Sequence, residues 1–158
     1  EKACPFTFNA MFHSMGNYLL KQMLKSSVSE GNELAFDNVM LVAADTNNLD
    51  HALWVDQIRF RRRLFVTINE NDFALKASRA KLGSSQLARL GHYLRGLNAA
   101  NAHYVNFTRA SWVRNSHGYF AEPAEKNEDV KAFFHSAFSG EAAEEALRYR
   151  PEGNWYEV

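Results

Sequence analysis

The sequence predicts an α/β fold, a mainly parallel sheet of about four strands with helices on both faces. Three observations lead there. Short apolar runs alternate with longer amphipathic stretches along the chain, the order that builds βαβ units with right-handed crossovers. One of the runs, Asn38-Val39-Met40-Leu41-Val42-Ala43-Ala44, is too uniformly apolar for a half-exposed strand and suits one covered on both sides. Finally, 158 residues with 46% apolar and 23% charged content supply one core and no second large domain, so residues 1–158 read as a single domain with 140–158 as a C-terminal tail.

The first strand is Phe6-Thr7-Phe8-Asn9-Ala10-Met11-Phe12, which runs straight into His13-Ser14-Met15-Gly16, a sharp turn. From Asn17, the residues Leu19, Leu20, Met23 and Leu24 recur at helical spacing, and the helix dissolves at Ser26-Ser27 and Gly31-Asn32. The all-apolar strand at 38–44 follows, then a loop over 45–50 and a helix-like stretch over 51–61. Arg63-Leu64-Phe65-Val66-Thr67-Ile68 is the third strand, Asn69-Glu70-Asn71-Asp72 its turn, and helical character returns from Phe73 to about Leu82. A stretch punctuated by Gly83, Gly91 and Gly96 leads to the fourth strand, His103-Tyr104-Val105-Asn106-Phe107-Thr108. A loop over 109–127 precedes a last helix with Asp129 as its cap and Val130, Phe133, Phe134 and Phe138 as its apolar stripe. The tail holds one short Ala/Glu helix, and its closing aromatics, Trp155 and Tyr156, suggest packing onto something.

Composition removes several classes of function. Eighteen Lys and Arg balance eighteen Asp and Glu, so no net field draws in nucleic acid or an anionic membrane. The single cysteine, Cys4, excludes a disulfide framework and a multi-cysteine zinc site, has no base nearby in sequence, and fits a cytoplasmic location. His51, His92, His103 and His135 show no metal-ligand spacing, so neither a metal nor another cofactor is expected. The basic run Arg59, Arg61, Arg62 and Arg63 reads as a solvated helix end, with a phosphate or acidic partner as the alternative. No secretory leader precedes Glu1, and the start has the look of a cut.

The chemistry gathers at His13-Ser14-Met15-Gly16. A serine where a strand turns into a helix is held in a strained turn, its oxygen clear of the backbone and beside the new helix N-terminus. The Met15 N–H then points at any anion forming there. Ser14 as a plain helix N-cap is the competing reading, and His13 reads as a residue packed beside the turn.

His13-Ser14-Met15-Gly16-Asn17 resembles the nucleophile elbow of α/β hydrolases, especially a bacterial group of unknown function with the same string. Val42-Ala43-Ala44-Asp45, Asn71-Asp72-Phe73-Ala74-Leu75-Lys76-Ala77-Ser78 and Ser116-His117-Gly118-Tyr119-Phe120 resemble that group's later segments in order, over roughly residues 6–138. The resemblance implies a triad of Ser14 as nucleophile, Asp72 as acid and His117 as base, with Met15 N–H as oxyanion donor and Asp45 as the alternative acid. Asp72 as a mere helix cap and His117 as a solvated loop residue stand against those roles.

The same resemblance implies two departures. The elbow usually has a small residue two before the serine, where this chain has Phe12, expected to crowd the turn. The chain also corresponds to the C-terminal half of the fold, starting at what resembles its fifth strand and lacking the loop that gives the second oxyanion donor. Two functions follow. One is a serine hydrolase cleaving a small acyl substrate, an ester, thioester or amide. The other is a truncated, non-catalytic module that pairs along the strand at 6–12 with a second copy or with a separate N-terminal half.

Overall fold

The computed structural model describes residues 6–25, 36–80 and 88–158. Cys4, the helix-ending Ser26-Ser27 and Gly31-Asn32, and Leu82 and Gly83 lie outside the described residues. One sheet runs through the rest. Its strands are β1 (Ala10–His13), β2 (Asn38–Val42), β3 (Arg63–Ile68), β4 (His103–Asn106), β5 (Arg148–Arg150) and β6 (Trp155–Glu157), in the spatial order β1-β2-β3-β4-β6-β5. Neighbours β1 to β4 are parallel, β6 adds to β4 in parallel, and β5 returns antiparallel along β6.

The helices are α1 (Gly16–Met23), α2 (Ala52–Val55), α3 (Phe73–Arg79), α4 (Glu122–Lys126) and α5 (Glu128–Phe138). Strand alternation sorts the core into two clusters. Met40, Val42, Phe65 and Val105 face Leu75 of α3 and Val130, Phe133 and Phe134 of α5. Val39, Leu41, Leu64, Val66 and Tyr104 face Leu20 of α1 and Trp54 and Val55 of α2. Every residue of β2 is buried, as its unbroken apolar run demands, while β1 at the sheet edge is only half-buried throughout.

Among the described residues the sheet has six strands where about four were expected, because the tail is no appendage. Its aromatics pack by pairing: Tyr156 lies opposite Val105 of β4 and Tyr149 opposite Tyr156. The expected short Ala/Glu helix is a 3-10 turn at Ala143–Ala146. Other boundaries shift for identifiable reasons. The helix after the second strand is the four residues of α2 and not the run to 61, since Arg61 and Arg62 donate their backbone N–H groups to Phe36 and Asp37 instead. The cap of α5 is Asn127, whose side-chain oxygen accepts from Asp129 and Val130 N–H, and Asp129 sits inside the first turn, where its charge suits the dipole. Phe138 points outward, 45% exposed.

The basic run is no helix end but a set of largely exposed, ion-paired side chains. Arg61 and Arg62 pair with the buried Asp37, Arg62 also donates to Gly140 O, and Arg63 pairs with the buried Glu144. These contacts tie the amino end of β3 to the start of β2 and to the segment after α5, at the opposite rim from the elbow.

Candidate active site

The carboxyl ends of β1 to β4 form one rim, and the predicted residues stand along it. Ser14 follows β1 directly with φ +53°, a left-handed conformation that costs a side-chain-bearing residue about 1–2 kcal/mol. One β2 group and one from the loop just past it hold it there: Ser14 N–H donates to Val42 O at 3.0 Å, and Asp45 N–H donates to Ser14 O at 3.2 Å. The cap position of α1 is Met15, without a side-chain cap, so Ser14 Oγ is not the N-cap oxygen. Among the described residues neither Ser14 Oγ nor Met15 N–H has a hydrogen-bond partner, leaving hydroxyl and donor both available at the head of α1.

Phe12 does not prevent the turn. It pairs with Leu41 and lays its ring against the cluster on the α1 face. A Cβ on Gly16 would likewise meet nothing within 4 Å. What sets the turn is Asn17, which the sequence alone does not distinguish from the rest of the string. Asn17, fully buried, directs its amide at three carbonyls, Phe12 O at 2.8 Å, Ser14 O at 3.1 Å and Val42 O at 3.3 Å. It thus ties the strand before the serine, the serine itself and the next strand to the first turn of α1.

Asp72, fully buried after β3, caps a helix and contacts the His117 imidazole at the same time. Its Oδ1 caps α3, accepting from Ala74 N–H at 2.9 Å and Leu75 N–H at 3.0 Å, and its Oδ2 accepts from His117 Nδ1 at 2.7 Å. A carboxylate only accepts, so Nδ1 carries the proton and the lone pair of His117 lies at Nε2. The imidazole is 21% exposed, a paired ring and not a solvated one. Asp45, the alternative acid, is engaged elsewhere: it pairs with Arg89 at 3.0 Å and accepts from Ser78 Oγ at 2.8 Å.

The loop that carries His117 is fixed at nearly every step. Asn69, fully buried, donates to Arg114 O and Ser116 O, and Phe73 N–H donates to Asn115 O. Two residues beyond the histidine, the buried Tyr119 hydroxyl bonds Thr67 Oγ1 at 2.6 Å and accepts from Ala43 N–H. Burial pushes the Tyr119 pKa up from that of an ordinary tyrosine, so the hydroxyl stays protonated. Gly91 closes the rim between β2 and β3. Its N–H donates to Ala44 O, its carbonyl accepts from Asn69 N–H, and a Cβ there would fall 2.3 Å from Ala44 N. An alternating apolar pattern carries no trace of Asn69 or Gly91, whose work is done on backbone groups.

A cavity of 860 Å³ opens farther along the same rim, lined among others by Glu70, Arg95, Arg109, Trp155 and Glu157, and neither Ser14 nor His117 lines it. Among the described residues no group of three His, Cys, Asp or Glu is arranged to hold a metal ion, and no helix is long and apolar enough to cross a membrane.

A strained serine at a strand-to-helix turn and a carboxylate–imidazole pair two and three strands away, in that chain order, are the anatomy of one superfamily. A family model described as "Alpha/beta hydrolase of unknown function (DUF900)" matches residues 7–130. The chain belongs to this family of α/β hydrolases. The matched span runs from the strand before the elbow through the first residues of α5, so it includes Ser14, Asp72 and His117. No match emerges among curated proteins or among solved structures.

Proposed function

We propose that the chain is a serine hydrolase that cleaves a small ester, thioester or amide through an acyl-enzyme on Ser14. The observation that carries this reading is the 2.7 Å Asp72–His117 contact on the rim where Ser14 stands at positive φ. In this mechanism His117 Nε2 takes the Ser14 proton as Oγ attacks the acyl carbon, and Met15 N–H stabilises the oxyanion at the head of α1. Collapse breaks the bond to the leaving group, which receives the proton from His117. A water, deprotonated by the same Nε2, then attacks the acyl-enzyme, and the acid departs as Ser14 recovers its proton. Asp72 holds the imidazole in the productive tautomer throughout and supports its transient positive charge.

A fluorophosphonate probe tests it. Covalent labelling that vanishes in Ser14→Ala supports the reading, and a folded protein that stays unlabelled refutes it.

A second reading has its own support in β1. This strand is the sheet edge, and beside it Phe6, Phe8, Leu19 and Met23 are 72%, 57%, 63% and 62% exposed. Of the predicted stripe of α1 only Leu20 is buried. In this reading the protein is a binding module, and the edge pairs with a second copy or a separate N-terminal half, covering backbone and apolar surface together. Sedimentation at increasing concentration should then show self-association that Leu19→Lys weakens; a monomer at all concentrations that also binds no N-terminal fragment would end it.

A further inference from the structure

Four successive carbonyls of the His117 loop each accept a hydrogen bond. The first three, from Arg114, Asn115 and Ser116, are held by Asn69 and Phe73 at the acid turn. The fourth is different. His117 O is held at 3.0 Å by His13 Nε2, from the residue that precedes Ser14. The two rings lie 4.6 Å apart at 53°, and the edge of Phe120 closes on His13 at 5.1 Å. Among the described residues this is the single hydrogen bond between the elbow and the loop; the loop's other ties run to the turn that carries the acid and, through Tyr119, to Thr67 and Ala43.

We infer that His13 is a positioning residue, which sets the separation of Ser14 Oγ from His117 Nε2 by clamping the loop's backbone to the nucleophile strand. The inference rests on the serine-hydrolase reading for its consequence in rate. Its physical basis is independent of that reading. Asp72 fixes which way the imidazole points, but β1 and β3 lie two strand spacings apart, roughly 10 Å, and a bond to the acid cannot report where the serine is. His13 can, since its own backbone is continuous with the serine's. A carbonyl only accepts, so His13 Nε2 carries its proton and a neutral ring suffices for the clamp. A neutral His13 also adds no like charge beside the imidazolium that forms at His117.

The test compares His13→Gln, whose amide nitrogen stands close to where Nε2 stood, with His13→Phe, which keeps a ring against Phe120 and loses the donor. His13→Asn, an amide one carbon too short, repeats the loss without apolar bulk should the Phe variant fail to fold. Two readouts are taken on the intact chain: the rate of Ser14 labelling by the fluorophosphonate across pH, and exchange of the His117 Nδ1 proton in ¹⁵N-histidine spectra. Misplacement by about 1 Å costs on the order of 10²-fold, so labelling should slow by about that factor in the Phe and Asn variants. Proton exchange at His117 should quicken in both, and Gln should restore both readouts. A Phe variant that matches wild type, or a Gln variant as impaired as Phe, overturns the inference. If the wild type itself does not label, the hydrolase reading falls and the exchange measurement alone decides: unchanged exchange in the Phe and Asn variants overturns the clamp, and quickened exchange rescued by Gln upholds it.

Discussion

Ser14 pays for its exposure with a backbone angle that suits glycine. Replacing it by glycine removes the proposed nucleophile and the strain together, and should raise unfolding free energy by up to about 1 kcal/mol while abolishing probe labelling. Chemical denaturation beside the wild type checks this; a Ser14→Gly protein that is less stable would mean the turn is held by something other than strain tolerated for the hydroxyl. Asn17 should show the opposite balance. Asn17→Leu removes a buried amide donor from Phe12 O, Ser14 O and Val42 O, the last two of which keep backbone donors, and should lose about 1–3 kcal/mol, with labelling slowed as the elbow relaxes. At this scale the sequence was readable where one residue type has one recognised task. Ser14, Asp72 and His117 stood out by order and context, and the rivalry between Asp72 as cap and Asp72 as acid arose because a residue letter does not say that its two oxygens can do different work. Asn17 and Asn69 could not be ranked, since an asparagine that serves backbone carbonyls looks the same in sequence as one in solvent.

Among the elements, α3 is the one whose attachment decides the shape of the rim. Asp72 caps its start, and near its end Ser78 joins Asp45 and Arg89 in a cluster where the ion-paired side chains are only 11% and 10% exposed. Removing the cation strands a nearly buried carboxylate. Arg89→Ala should therefore cost about 3–5 kcal/mol by urea unfolding, and a loss below 1 kcal/mol would show that water reaches Asp45 unaided. The four central strands were legible because burial on two faces demands unbroken apolar runs, as in β2, and parallel strands need long crossovers that leave room for helices. Strands β5 and β6 were not. Three residues give no period to read, and Arg148-Tyr149-Arg150 carries charge suited to an exposed edge, so only the wish of Trp155 and Tyr156 for a packing partner was visible.

Taken whole, the molecule should weaken in mild acid. Burial pushes the pKa values of His51, His92 and His103 down from the ordinary histidine range. His51 shows why: its ring is fully buried, and the loss of water around it outweighs the Nδ1–H bond to Asn48 O and the nearby Asp56 charge, both of which favour the charged form. The unfolded chain, with histidines near 6.5, then binds protons before the folded one does, and stability is full above that pH and falls as pH drops through it toward the lowered folded values. Urea midpoints at pH 7.5 and 5.5 should differ in that direction, and a flat profile would contradict the burial. Val158 N–H still donates to Asn106 O, so the backbone emerges at the carboxyl end of β4 and β6, four strand spacings or roughly 20 Å from Ser14. A fluorophore fused after Val158 would thus sit within energy-transfer range of a dye-bearing inhibitor on the serine, and could report the arrival and departure of whatever covers the rim.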